Sequence, residues 1–166
     1  LSDKILYLSN FSMSILSIYY SINKIKFTKV INGLDECFLH QNNMCNKKKI
    51  LNTIVFIGDI QRKEKGFHFL MKSLFEIDKQ IKLFLISAPV NVTQVQINDK
   101  TCINFIDKMT TDKMIEFLND KNIIFAASEY DQFPISVLEA ISCGMTPIMT
   151  KENGLSEIIG DFCSSE

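Results

Sequence analysis

Two carboxylates and the short stretch between them are the residues whose types and spacing most invite chemistry. Asp131 falls in a polar, turn-like run at 128–133, and Glu139 follows eight residues later. Ahead of them, the apolar run at 123–127 shows no alternation, which suits a short strand covered on both faces. Behind them, Pro134 opens a segment in which Ile135, Leu138, Ile141 and Ser142 fall near helical spacing, and Gly144 supplies a stop just past its end. Strand, turn and helix in that order place a helix N-terminus over the carboxyl end of a parallel strand. Free N–H groups and the positive end of the helix dipole favour an anion there. The crevice outside the carboxyl ends of the strands is also where open α/β sheets bind ligands. A separation of eight carries Glu139 about two helical turns beyond Asp131, so the two acids can grip different parts of one long ligand. Taken singly, an Asp in this place is an ordinary helix cap, and a Glu inside the helix is an ordinary solvated acid.

A second phosphate-compatible arrangement lies upstream. Residues 53–57 are β-branched and apolar, Gly58 ends the run, and the loop GDIQRKEKG leads into a helix predicted from about Phe67 to Ile77, with Phe69, Leu70, Leu74 and Ile77 as its apolar stripe. Strand, glycine loop and helix present backbone amides to an anion. The loop carries the cations Arg62, Lys63 and Lys65, lacks the Gly-Lys-Ser/Thr ending of a P-loop, and contains no GxGxxG.

Further strands are predicted at 82–86 and 103–106, and a helix after Thr111-Asp112 with Met114, Ile115 and Leu118 buried. Residues 90–102 carry no helical stripe and are expected to be a degraded helix or a surface loop. At the start, 4–8 and 26–31 are expected to be strands flanking a helix capped by Asn10-Phe11-Ser12. A turn at Asn32-Gly33 follows. The polar stretch 39–52, with Lys47, Lys48 and Lys49 in a row, is expected to be a solvated linker. The alternation of strand and helix from 53 onward argues an α/β fold, a Rossmann-like doubly wound parallel sheet.

Composition narrows the function. A chain of 166 residues has room for one sizeable core, and a formal net charge of −1 gives no pull toward nucleic acid. The apolar stretch near the start is too short and too polar to span a membrane. The five cysteines are odd in number and scattered, which argues against a disulfide framework and a zinc site and suits a reducing compartment. Neither His40 nor His68 falls in a triad pattern, and no metal site is expected.

The string DQFPISVLEAISCGMTPIMTKENGLSEII resembles the signature of glycosyltransferase family 4, the retaining sugar transferases of the GT-B fold: an acid, seven residues, then Glu-Ala-x-x-x-Gly-x-Pro, a glycine turn and Glu-Ile-Ile. Asp131 stands where the family usually has Glu, and Phe133, Glu139, Ala140, Gly144, Pro147, Gly154 and Glu157 match. KVINGLDECF resembles the family's interdomain hinge, and GDIQRKEKG its Gly-Arg-Leu…Lys-Gly loop, with Gly58, Lys65 and Gly66 matching but Asp59 at the Arg position. The resemblance implies a division into 1–38 (the end of an N-terminal domain and the hinge), 39–52 (linker) and 53–166 (donor-binding domain). The pattern begins and ends partway, so the chain is expected to be a piece of a longer protein.

The resemblance implies further that Asp131 contacts the donor sugar, Lys65 neutralises the donor diphosphate, and Glu139 accepts hydrogen bonds from the ribose. Gly58 and Arg62 join the donor site, with Arg62 or Lys63 swinging in to offset Asp59. Backbone around Phe133, Pro134 and Ile135 faces sugar or phosphates, with one donor fewer because Pro134 has no N–H. The expected substrates are a nucleoside diphosphate sugar, with no separate cofactor or metal, and a glycan or lipid-linked acceptor held by the other domain. Polysaccharide biosynthesis is the expected setting, in the cytoplasm or at the inner face of its membrane. Two rivals stand beside this reading: a Rossmann-like domain that has lost donor binding, and a different phosphate-ligand enzyme on the same kind of sheet.

Overall fold

The computed structural model describes residues 4–19, 27–39, 48–86 and 93–160. Its centre is a six-stranded sheet built from β3 (Thr53–Ile57), β4 (Ile81–Ile86), β5 (Gln94–Gln96), β6 (Thr101–Ile106), β7 (Ile123–Ala126) and β8 (Thr146–Met149), in the order β5-β6-β4-β3-β7-β8. All neighbours pair in parallel except β5, which runs antiparallel on β6. From β3 the chain winds one way through β4 and β6, then returns past β3 to build β7 and β8. The order reverses between β3 and β7, the switch point at which two successive crossovers leave a crevice.

Two apolar layers cover the sheet, as a doubly wound fold requires. Along β3, Ile54 and Phe56 face a cluster with Leu70 and Leu74 of α3 (Phe67–Glu76), while Val55 and Ile57 face one with Ile115 and Leu118 of α4 (Thr111–Leu118) and Val137 and Ala140 of α5 (Ile135–Ser142). The strand's two-residue period sends alternate side chains to opposite layers. Phe38, from the one-turn helix α2 (Glu36–Leu39), is buried in the second cluster, where α2 packs near α4 and α5.

Before the main sheet, β1 (Ile5–Tyr7) and β2 (Phe27–Lys29) form a two-stranded parallel sheet joined through α1 (Asn10–Tyr19). The last helix, α6 (Ser156–Ile159), follows the turn after β8.

Several expectations need correction. Residues 94–96 are neither helix nor loop. They are an edge strand, exposed throughout, whose backbone pairs with β6 while its Gln-Val-Gln side chains carry no burial period. The buried face of α5 is Val137 and Ala140, not a stripe beginning at Ile135, which is 43% exposed; Ile135 shares its side of the helix with the polar Glu139 and Ser142, away from the sheet. The cap of α1 is Ser9, not 10–12. Ser9 Oγ accepts from the Ser12 N–H and Ser12 Oγ from the Ser9 N–H, both at 3.1 Å, a reciprocal box made by two serines. Within the expected linker, Lys49 reaches the C-terminus of α5 and donates to the Cys143 carbonyl at 2.5 Å. There Gly144 at φ 77° and Met145 close the helix with bonds to Ile141 and Ala140 at 2.8 and 3.1 Å. His40 and Lys47 lie outside the described residues.

Candidate donor site

Two loops at the switch point make the site, and glycine decides how closely they meet. Gly66 has φ 74°, and a Cβ there would sit 1.9 Å from the Ala127 carbonyl oxygen. Only a bare Cα lets the loop after β3 lie against the end of β7. A backbone bond from the Glu129 N–H to the Glu64 carbonyl, 2.8 Å, joins the same two loops. Gly58 starts the first loop at φ 150° and donates to the Ile86 carbonyl at 3.0 Å, and a side chain on it would lie beside the stem of Lys65.

Lys65 is thereby delivered to Asp131. Its Nζ donates to Asp131 Oδ2 at 2.8 Å, in a pair whose side chains are 27% and 16% exposed. The other carboxylate oxygen, Oδ1, accepts the Phe133 N–H at 3.3 Å, an Asx turn that sets the entry to α5. The carbonyl of Asp131 accepts the Gly154 N–H at 2.8 Å, so the loop is held from a third side. Lys65, Ser128, Asp131, Pro134 and Ser136 line a cleft of about 20 Å³ above the ends of β3 and β7, roughly the room one water needs. In the first turn of α5, Val137 and Leu138 donate to the Pro134 carbonyl at 3.2 and 3.4 Å, which leaves the N–H groups of Ile135 and Ser136 beyond the reach of an intrahelical acceptor. Larger hollows lie elsewhere. One of about 300 Å³ sits at the amino ends of β4 and β6, the wrong end of a parallel sheet for a ligand site.

Glu139 stands apart from the cleft, half-buried on α5. Burial pushes its carboxyl above the ordinary range, and the negative charge of Asp35 pushes it further. Among the described residues its carboxylate takes no hydrogen bond and no ion pair. It is therefore a half-desolvated acceptor with its hydrogen-bonding capacity unspent. Asp35, just before α2, has its own carboxyl held below the usual range by hydrogen bonds with Cys37.

The remaining predicted residues are distributed unevenly. Phe133 is buried in the core and contributes its amide rather than its ring. Pro134 lines the cleft, and the Ile135 side chain faces solvent. Arg62 is not brought to Lys65: it pairs with Glu64 at 2.6 Å, largely exposed, and lines a separate hollow of about 490 Å³ with Lys63, Phe67 and His68. Asp59 is turned into its own loop, its Oδ1 accepting the Gln61 N–H at 2.9 Å. Residues that the sequence reading passed over are Ser136, which shares the cleft, and Asp35, whose charge acts on Glu139. A polar residue in the first turn of a helix that follows a strand end was the available signal for the former.

With this geometry in hand, comparison with known proteins becomes decisive. The sequence model of the family described as Glycosyl transferases group 1 matches residues 51–163. This chain belongs to that family. Curated protein sequences offer no match. Among solved structures, this member of the group 1 glycosyl transferases resembles WaaG, a glycosyltransferase involved in lipopolysaccharide biosynthesis, at 14% identity and a TM-score of 0.67 over 95% of this chain and 47% of that one. Sucrose-phosphate synthase from Thermosynechococcus elongatus superposes with TM-score 0.69 at 15% identity, over 97% and 44%. Anabaena Alr3699/HepE, solved in complex with UDP and glucose, gives 0.68 at 13%, over 96% and 47%. The chain thus spans somewhat under half the length of these structures, and the shared feature is the GT-B, Rossmann-like fold.

Among the described residues, no three His, Cys, Asp or Glu side chains gather as a metal site, and no helix is long and apolar enough to cross a membrane.

Proposed function

We propose that this chain supplies the donor-binding half of a retaining glycosyltransferase that moves a sugar from a nucleoside diphosphate sugar to a glycan or lipid-linked acceptor, the acceptor being held by a second domain. The observation that carries this reading is the Lys65–Asp131 pair, 2.8 Å apart, over the first turn of α5 at the switch point of the sheet.

The chemistry follows from what the pair would do when a donor arrives. A diphosphate on the first-turn amides of α5 competes with Asp131 for the Lys65 ammonium. Lys65 then bridges to phosphate, and Asp131, released, accepts hydroxyls of the donor sugar. Negative charge grows on the diphosphate as the glycosidic bond breaks, so a fixed cation and aligned amides stabilise the transition state more than the ground state. Glu139, two turns along α5, accepts the ribose hydroxyls, which satisfy the unspent acceptor noted above. Family membership, and the UDP and glucose bound by HepE, support this assignment. Polysaccharide synthesis is the proposed setting, on the cytoplasmic side where activated sugars are supplied.

Three observations favour a second reading, a domain that kept the fold and lost its donor. Asp59 stands in place of a cation, Arg62 is engaged by Glu64, and the cleft is only about 20 Å³. Calorimetric titration with UDP, GDP and their sugars separates the two. Saturable heat with one base at millimolar ligand or below is expected, with no sugar transfer by this chain alone. Silence with every nucleotide at millimolar concentration selects the second reading.

A further inference from the structure

The carboxylate of Glu157, at the start of α6, is spent far from its own helix. Its two oxygens accept the N–H groups of Asn10 and Phe11 at 2.9 and 2.7 Å, and Lys29 Nζ donates to it at 3.1 Å. Those amides are the first two orphan donors of α1, and the third, at Ser12, is taken by Ser9. Glu157 therefore completes the cap of a helix about 146 residues upstream and ties in β2 through Lys29.

The capped turn rests on the loop that carries Asp131. Ser9 and Ser12 are fully buried. A Cβ on Gly154 would meet both the Gln132 carbonyl oxygen, at 2.0 Å, and Ser9 Oγ, at 2.4 Å, so turn, loop and glycine are in mutual contact. The rings of Phe11 and Tyr130 lie 5.5 Å apart. Asp131 is held to the segment leading into α6 by its N–H to the Glu152 carbonyl and by its carbonyl from the Gly154 N–H, 3.3 and 2.8 Å.

We infer that Glu157 is a positioning residue: by capping α1 it presses the β1–α1 turn against residues 130–133 and so holds Asp131 where it can meet both Lys65 and a donor sugar. Docking of the N-terminal unit and grip on the sugar are then coupled, each stabilising the other. The part that concerns the sugar rests on the donor-site reading; the part that concerns the loop does not.

Hydrogen exchange on Glu157→Gln against the wild-type chain tests it. The glutamine keeps the shape but loses the charge, and its NH₂ cannot accept. Exchange is expected to quicken about tenfold at residues 10–13 and, as the inference requires, at 129–133, while β3 and β4 stay unchanged. Lys29→Met, which removes only the ion pair, gives a smaller change at the same two places. Acceleration confined to 10–13, or spread evenly into β3 and β4, overturns the inference. In the ligand arm, UDP-glucose loses affinity relative to UDP in Glu157→Gln, and Asp131→Asn adds little to that loss; full additivity of the two substitutions also overturns it. If neither nucleotide binds the wild-type chain, the donor reading fails by itself and the exchange result still decides the positioning role.

Discussion

Glu157 and Glu139 sit on consecutive helices of the same domain and are opposites in circumstance. Burial tends to raise the Glu157 carboxyl, but the amides of Asn10 and Phe11 and the ammonium of Lys29 outweigh it, and the group ends below the ordinary glutamate range. Glu139 has burial and a like charge, with nothing to offset either, and ends above that range. The first acid is finished by the fold. The second is left incomplete, at some expense to the free chain, and this unspent acceptor is what the proposed role of Glu139 toward donor hydroxyls draws on. The two residues thus separate an acid whose bonds the fold completes from one whose bonds it leaves open.

The comparison can be broken most forcefully at the glycine beneath the finished side. Gly154→Ala forces a methyl into the Gln132 carbonyl and Ser9, and a loss of about 3 kcal/mol is expected from such overpacking. Thermal unfolding reads it, with a fall of roughly 6–12 °C for a chain of this size; an unchanged midpoint contradicts the contact. Next comes Glu157→Gln, expected to cost about 2 kcal/mol as two charge-assisted caps and an ion pair are weakened. Glu139→Gln should go the other way, stabilising the free chain by a few tenths of a kcal/mol after allowance for solvent, while weakening UDP about tenfold in calorimetry. A Glu139 variant that loses stability like Glu157 erases the distinction.

Acid sharpens the same contrast. The stability Glu157 contributes is present above its unfolded pKa, about 4.3, and vanishes as pH falls through the depressed folded value. The gap between wild type and Glu157→Gln therefore closes in acid. Glu139 has the opposite sign, because the folded chain takes its proton more readily than the unfolded one. Stability rises as pH falls through the raised value, and that gain is missing in Glu139→Gln. Denaturant midpoints from neutral pH into acid show both slopes. A small effect confined to stability is expected from Lys49→Met at the far end of α5, about 0.5 kcal/mol from the lost C-terminal cation, with UDP binding unchanged.

Much of this was open to reading from sequence, for physical reasons that can be named. Strands β3 and β7 are unbroken apolar runs because layers cover both faces, whereas only half of the stripe expected of α3 meets the sheet: Leu70 and Leu74 are buried, Phe69 is exposed, and Ile77 lies just past the helix and is exposed too. The acid-and-glycine pattern from Asp131 to Glu157 pointed to a GT-B glycosyltransferase, and the Glycosyl transferases group 1 match over residues 51–163 includes it. What escaped were features set by distant or featureless partners. β5 is exposed on both faces and leaves no period. The Lys49–Cys143 and Glu157–Phe11 bonds join residues 94 and 146 apart, with no local mark. The engagement of Arg62 by Glu64 is a short-range alternative that the sequence allowed but did not favour over a turn toward Lys65.

The central claim is that Lys65 is held in reserve by Asp131 and handed to a diphosphate. Calorimetric affinity for UDP in Asp131→Asn, set beside the wild-type chain, tests it most directly. Freed from its competitor, Lys65 should bind UDP several-fold more tightly, and the added sugar of UDP-glucose should no longer improve binding. Equal or weaker UDP affinity in that variant, with the fold intact, would contradict the account.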